Sequence, residues 1–404
     1  MKPVPILLAL SLLGAPAAAR ARETGPEPIA GMKAADPGDR WTTSFHGYAF
    51  LTSNKQGGRS GARDFESTNH LMVVSTRGLG AGRLSLLGTF TLEPATIPPE
   101  GSPLLFQRGE TYRGVLLVDR QHPHDLFTQI AVQWERSLSR STGLRLYLSP
   151  WGEPAVGPTA YPHRLSASEN PVAPLAHHNQ DSTHISADVV TAGLSVAKVT
   201  VEGSIFHGRE PDENRWNIDQ GGLDSYSGRL TLRPGGGFSA QVSAARREHP
   251  EALEEGDQTR QTASLEYERS TSGGFVAAAL IFGRNRLPAG VERGSTLEAT
   301  WKFRRKNFLY GRIESVDRDR FELLTKTQRP ETVPPETTTV GAATVGFVRD
   351  LPLRGEAESG LGGGVTVYRF DAGLDPVYGG NPVSLQVFLR LRFGSHGAAG
   401  HAHH

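Results

Sequence analysis

Cysteine is absent from all 404 residues. That excludes disulfides, so an exported form has to be stabilised in another way. Long apolar runs are missing too, except at the very start, which excludes a bundle of membrane-spanning helices. No long segment carries the apolar period of an amphipathic helix. Charge of one sign is also lacking: Lys and Arg number 43, Asp and Glu 42, for a net +1. Bulk charge therefore gives no basis for a nucleic-acid partner, and none is expected. Hydrophobic residues are scarce, at 37%, while glycine is abundant.

What is present begins with "MKPVPILLALSLLGAPAAAR". Lys2 supplies a positive start, Val4 to Leu13 a short apolar core, and Ala17, Ala18 and Ala19 a small-residue cleavage site. Residues 1–19 read as a signal peptide for the general secretory route. Residues 20–40, rich in Pro, Gly, Ala and charge, read as a disordered lead-in.

From there to the end the chain alternates. In "PVSLQVFLRLRF" Val383, Leu385, Val387, Leu389, Leu391 and Phe393 fall on one face of a strand. "QIAVQWE", "GLRLYLS", "KVTVEGSIF" and "LEATWKFRR" behave the same way. Strands are expected over 41–52, 69–77, 83–93, 127–137, 142–149, 184–193, 197–206, 226–233, 238–247, 260–269, 274–283, 296–305, 307–316, 340–349, 361–370 and 383–393. The connections alternate between tight turns and long loops, the long ones including 53–68, 94–126, 150–183, 207–225 and 284–295.

Short turns at one end and long loops at the other imply an all-β, antiparallel, up-and-down transmembrane barrel over residues 41–393. It should have about sixteen strands, fourteen or twelve being the nearest alternatives. The apolar phase then faces outer-membrane lipid. The polar phase, with Arg145, Glu202, Arg247, Lys302, Arg304, Arg312, Arg369, Arg390 and Arg392, lines a lumen that leans positive. Phe393 resembles the aromatic C-terminal insertion signal of outer-membrane barrels, which implies the barrel assembly machinery as a partner. A homotrimer is expected by analogy with porins of this size.

The second and third long loops differ from ordinary surface loops. They are rich in Pro, Trp, Tyr and His, whereas "EHPEALEEGDQTR" in the fifth is simply charged. Loops of this length are functional or disordered, and this composition favours order. Both are expected to fold into the barrel and constrict it. The constriction should use Asp119, Arg120, Asp125, Glu153, Arg164 and Asp181, with Arg209, Glu210 and Asp212 from the fourth loop. A small polar or charged solute is the expected cargo, selected by charge and pore width.

Seven of the fourteen histidines lie between His122 and His207. Neutral imidazole suits copper, zinc or nickel, and carboxylates can complete the shell. His122, His124, His177, His178, His184 and His207 are the metal candidates, with copper or zinc as the possible ion. The spacing matches no zinc signature, and loop histidines also serve as hydrogen-bonding pins. The blocks "DRQHPHD", "GEPAVGP", "HHNQDSTH" and "GREPDE", within about residues 111–216, resemble an uncharacterised family of bacterial outer-membrane β-barrels. The resemblance implies a barrel sometimes associated with heavy-metal export systems, and it brings no catalytic residue.

Two other readings remain. "QDSTH" offers Ser182 and His184 to an outer-membrane hydrolase, but no nucleophile elbow surrounds them. A closed, purely structural barrel is the third. The tail, residues 394–404, carries His396, His401, His403 and His404 and reads as a periplasmic tract able to capture metal.

Overall fold

The computed structural model describes residues 38–253, 255–352 and 357–394. The expected signal peptide, the expected lead-in up to residue 37 and the tail histidines lie outside the described residues.

Sixteen strands close into one antiparallel barrel. They are β1 (Thr42–Lys55), β2 (Arg63–Leu79), β3 (Gly82–Phe90), β6 (Phe127–Ser137), β7 (Thr142–Gly152), β8 (Ser186–Val196), β9 (Val199–His207), β10 (Ser225–Gly235), β11 (Phe238–Arg247), β12 (Gln258–Thr271), β13 (Gly274–Leu287), β14 (Gly290–Phe303), β15 (Asn307–Asp319), β16 (Thr337–Leu351), β17 (Glu358–Arg369) and β18 (Val383–Phe393). Each pairs with its neighbour in the chain, save that β3 pairs with β6 across the second loop. β1 pairs with β18 from Gly47↔Phe393 to Lys55↔Leu385 and shuts the cylinder. Closure leaves no sheet edge to be satisfied in hydrocarbon.

The outward phase is the one the alternation marks. Leu148 is 55% exposed, Val201 55%, Ile313 61%, Val345 58% and Val387 59%. In a soluble protein such a belt would be an aggregation surface. Around a closed barrel it is the lipid-facing band.

Three sequence expectations change. The expected long loop at 284–295 is a two-residue turn, Pro288–Ala289, because β13 and β14 run on past the apolar belt. There the outward positions are polar, as at Arg284 and Arg286, so the alternation fades while Arg286↔Val291 pairing continues. The expected loop at 53–68 likewise shrinks to residues 56–62. Arg304 and Arg369 do not face the lumen: Arg304 sits in a short turn with φ 49°, and Arg369 is exposed on the outward phase of β17.

The second loop also hides a hairpin, β4 (Ser102–Tyr112) with β5 (Val115–Gln121), separate from the barrel wall. Positive φ at Phe106, Gly109 and Glu110 breaks its register twice. No regular alternation survives for the sequence to display.

The lumen is not a simple polar tube. Leu104, Leu105 and Phe106 of β4 and Leu175 and Ala176 of the third loop form a core with Val316, Val340, Ala342 and Tyr378. Leu165 of the third loop packs with Phe50, Phe275, Phe308 and Phe388, inward residues near the short-turn end. Phe388 is 1% exposed. An inward apolar residue needs a packing partner rather than water, and the two loops supply it.

Candidate functional site: a histidine cluster in a lumenal plug

Loops two (91–126) and three (153–185) enter from the long-loop end and fill the barrel. Their buried backbone has to be satisfied by the wall, and the wall supplies both donors and acceptors. Ser204 Oγ accepts from Ala155 N, and Ser243 Oγ from Gly157 N. Arg312 donates to Val172 O, Arg318 to Phe106 O and Leu175 O, and Arg260 to His178 O. Asn54 donates to Pro103 O. The short helix α1 (His177–Gln180) lies against β13 and β14, where Gly283 and Gly294 make room. A Cβ on Gly283 would come 2.0 Å from Asn179 O.

Ion pairs clasp the middle and tip of loop three. Arg164 bonds Glu298 (Nε–Oε1 2.8 Å) and Asp181. Glu298 also accepts from Arg312 (3.1 Å) and Ser166 (2.9 Å). At the short-turn end Glu169 bonds Arg392 (2.8 Å) and Arg390, which in turn reaches Asp350. Neither Glu169 nor Glu298 is among the constriction residues expected from the sequence. Both are isolated acids among small or uncharged neighbours, and their loop-to-wall partners, Arg164 for Glu298 and Arg390 and Arg392 for Glu169, lie over a hundred positions away.

The expected constriction residues divide. Asp119, Asp125, Arg164 and Asp181 are buried in the plug, and Glu153 is half-buried. Asp119 accepts from Phe106 N and Tyr378 Oη and meets Lys326. Arg120, half-buried, donates to Gly101 O at 2.7 Å. Glu210 pairs with Arg247 at 3.3 Å. Arg209 and Asp212 do not join the constriction. Both are exposed, Asp212 accepting from Asn214 N at 2.6 Å; loop four meets loop two instead through buried Arg215, which bonds Glu110 and lies 3.6 Å from Asp125.

Five of the six candidate histidines converge. Ring centroids of His122, His124, His177, His178 and His184 form a contiguous cluster at 5.2–5.8 Å, with Tyr161 against His177 at 5.1 Å. His207 is elsewhere, bonded to Asp224 (2.7 Å) at the end of β9. Within the cluster, one ring nitrogen each of His124, His177 and His184 lies within 4.8 Å of the other two.

The Nδ1 of each of these three is already used. His177 Nδ1 donates to Asp181 Oδ1 (2.6 Å), His184 Nδ1 to Asp181 O (2.9 Å), and His124 Nδ1 to Glu93 Oε2 (2.7 Å). The Nε2 atoms take no part in these bonds, and His124 Nε2 is buried without a hydrogen-bond partner. Glu93, in the helical turn Glu93–Thr96 after β3, carried no metal signal in the sequence. His178 has both ring nitrogens buried without a hydrogen bond, and His122 Nε2 sits 3.0 Å from Glu110.

Burial first, and neighbouring positive groups after it, hold His122, His178 and His184 well below the usual imidazole range. Burial also lowers His177. Burial opposes charge on His124 as well, but the Glu93 carboxylate outweighs it and raises that group. For Asp181, burial is outweighed by Arg164 and His177, which hold it below the ordinary carboxylate value. Burial pushes Asp125 to about 7 and Glu110 to about 8. Mostly neutral imidazoles beside an ionised Asp181 form an environment that accepts a cation.

Ser182 and His184 do not make a hydrolytic pair. The two share one 3-10 turn but face different partners: Ser182 Oγ accepts from Arg260 (2.9 Å), while His184 Nδ1 is bound to Asp181 O.

No protein-family model matches the chain, and no curated protein does. Solved structures do. An anion-selective porin from Comamonas acidovorans superposes with a TM-score of 0.53 at 11% identity, over 88% of this chain and 100% of that one. OprB of Pseudomonas putida gives 0.51 at 8%, over 88% and 94%. OmpF of Salmonella typhi, solved in complex with daunomycin, gives 0.50 at 9%, over 90% and 100%. The fold is that of the outer-membrane porins.

Proposed function

We propose that this chain is an outer-membrane, porin-like channel for a small polar or charged solute, closed at rest by its own second and third loops. The carrying observation is a closed barrel with a lipid-facing belt whose lumen is stoppered by segments tied to the wall largely through ion pairs and hydrogen bonds. Such contacts can be exchanged for water, so the plug can shift without unfolding the sheet. The amino-terminal leader supports export by the secretory route, and the short-turn end then faces the periplasm.

Inward arginines at 247, 260, 312, 318, 390 and 392 ring the plug. Once the plug moves, they favour anionic solutes.

Planar-bilayer recording of the purified barrel tests this reading. The expected trace sits near baseline and steps open under applied voltage. In a salt gradient its reversal potential should shift toward that of the anion. A barrel that never steps at any voltage contradicts the channel and supports a structural role. A reversal toward the cation contradicts the selectivity.

A further inference from the structure

We infer that His124, His177 and His184 form a binding site for one late first-row divalent metal ion, Zn²⁺ or Cu²⁺, which ties loop two to loop three. This goes beyond the channel reading and stands whether or not the barrel conducts.

Three observations carry it. First, the trio converges on one point from two separate loops, each ring offering a nitrogen within 4.8 Å of the others. A modest inward turn of the rings brings the nitrogens to the Zn–N distance of about 2.0–2.1 Å. Second, every Nδ1 is engaged by a carboxylate or a backbone carbonyl. That holds each ring by its Nδ1 and leaves Nε2 to meet an ion, His124 giving up a proton as it ligates, and it is the support that metal-ligating histidines almost always have. Third, His124 Nε2 is buried with no hydrogen-bond partner. A bound ion would satisfy that atom.

Charge and ligand type narrow the ion. Three imidazoles without thiolate suit zinc or copper rather than calcium or magnesium. Asp181 and Glu93, each one bond behind a ligand, bring negative charge next to the ion. Among the described residues no fourth His, Cys, Asp or Glu joins the trio, so the remaining position is open to water or a small anion, as in exchangeable sites.

The test uses the full chain with His396, His401, His403 and His404 replaced by alanine, so that the tail cannot bind metal. Titration calorimetry with Zn²⁺ should find one ion per chain. Electron paramagnetic resonance of the Cu²⁺-loaded protein should show three nitrogen ligands. Glu93→Gln, which removes only support, should weaken affinity by about 10–100-fold. His124→Ala, His177→Ala and His184→Ala should each weaken it by more than that, while His249→Ala on the exposed fifth loop should change nothing. Each variant is scored once it runs as a heat-modifiable folded barrel. If an alanine does not fold, glutamine at the same position keeps the bulk and should show the same loss. Absence of a bound ion in the tail-substituted chain, unchanged binding by the single variants, or fewer than three nitrogens in the spectrum would overturn the site. These readouts are made in detergent and do not depend on conductance, so the site and the channel fail separately.

Discussion

Glu169→Ala should turn a quiet barrel into a conducting one. Glu169 is fully buried at the tip of loop three and bonds both Arg390 and Arg392 on β18. Arg390 is itself fully buried and reaches one other acid, Asp350. Removing Glu169 leaves two guanidinium groups short of a partner in a packed lumen. Stranding one member of a buried ion pair costs about 3–5 kcal/mol, and every 1.4 kcal/mol is about a factor of ten in an equilibrium. The cost falls on the plugged state alone, because arginines in an opened lumen are hydrated. Open probability in planar bilayers should therefore rise by about 100-fold or more. Glu169→Gln, which keeps the hydrogen bonds but not the charge, should fall between. An alanine variant as quiet as the unaltered chain would show that this contact does not hold the plug.

The second large effect is expected at the centre of the plug. Glu298 accepts from Arg164, Ser166 and Arg312 at once, all deep in the lumen. Glu298→Ala should loosen residues 164–167 from the wall at a cost of about 3–5 kcal/mol, while Glu169 stays bonded to β18. The readout is hydrogen exchange: protection should fall selectively in loop three while the barrel strands keep theirs. Equal protection in both forms would mean that the apolar contacts of Leu165 with Phe275 and Phe308 suffice to seat the loop.

The wall of this protein was legible because lipid imposes one rule on every strand. Each outward position within the belt is apolar, so a period of two is written wherever the chain crosses. The reading weakened where that rule stops. Arg284 and Arg286 lie beyond the belt, and the β13–β14 turn was hidden behind them. The hairpin of β4 and β5 meets protein on its faces, and its positive-φ residues break the alternation.

The site was legible in kind and not in geometry. Composition marked loops two and three as ordered and rich in histidine. Which histidines would meet depends on His124 and the His177–His184 stretch being brought together by a fold in which each loop packs against a different part of the wall. Nothing local encodes that. Glu93, Glu169 and Glu298 escaped notice for the same reason: each is one acid in an unremarkable neighbourhood, given meaning by a distant base. His207 sat in the right run of sequence but belongs to the wall, bonded to Asp224.

The central claim is that loop three lies inside the barrel against β14, and the absence of cysteine makes it directly testable. Ser166 O accepts from Thr300 Oγ1 at 2.8 Å. The double variant Ser166→Cys with Thr300→Cys, treated with a short bifunctional thiol reagent in the folded membrane-bound state, should cross-link nearly to completion. The product is an internal loop visible as a gel shift after full denaturation. Recovery of both thiols unlinked, in a barrel that is folded by heat modifiability, would place loop three outside the lumen and contradict the account.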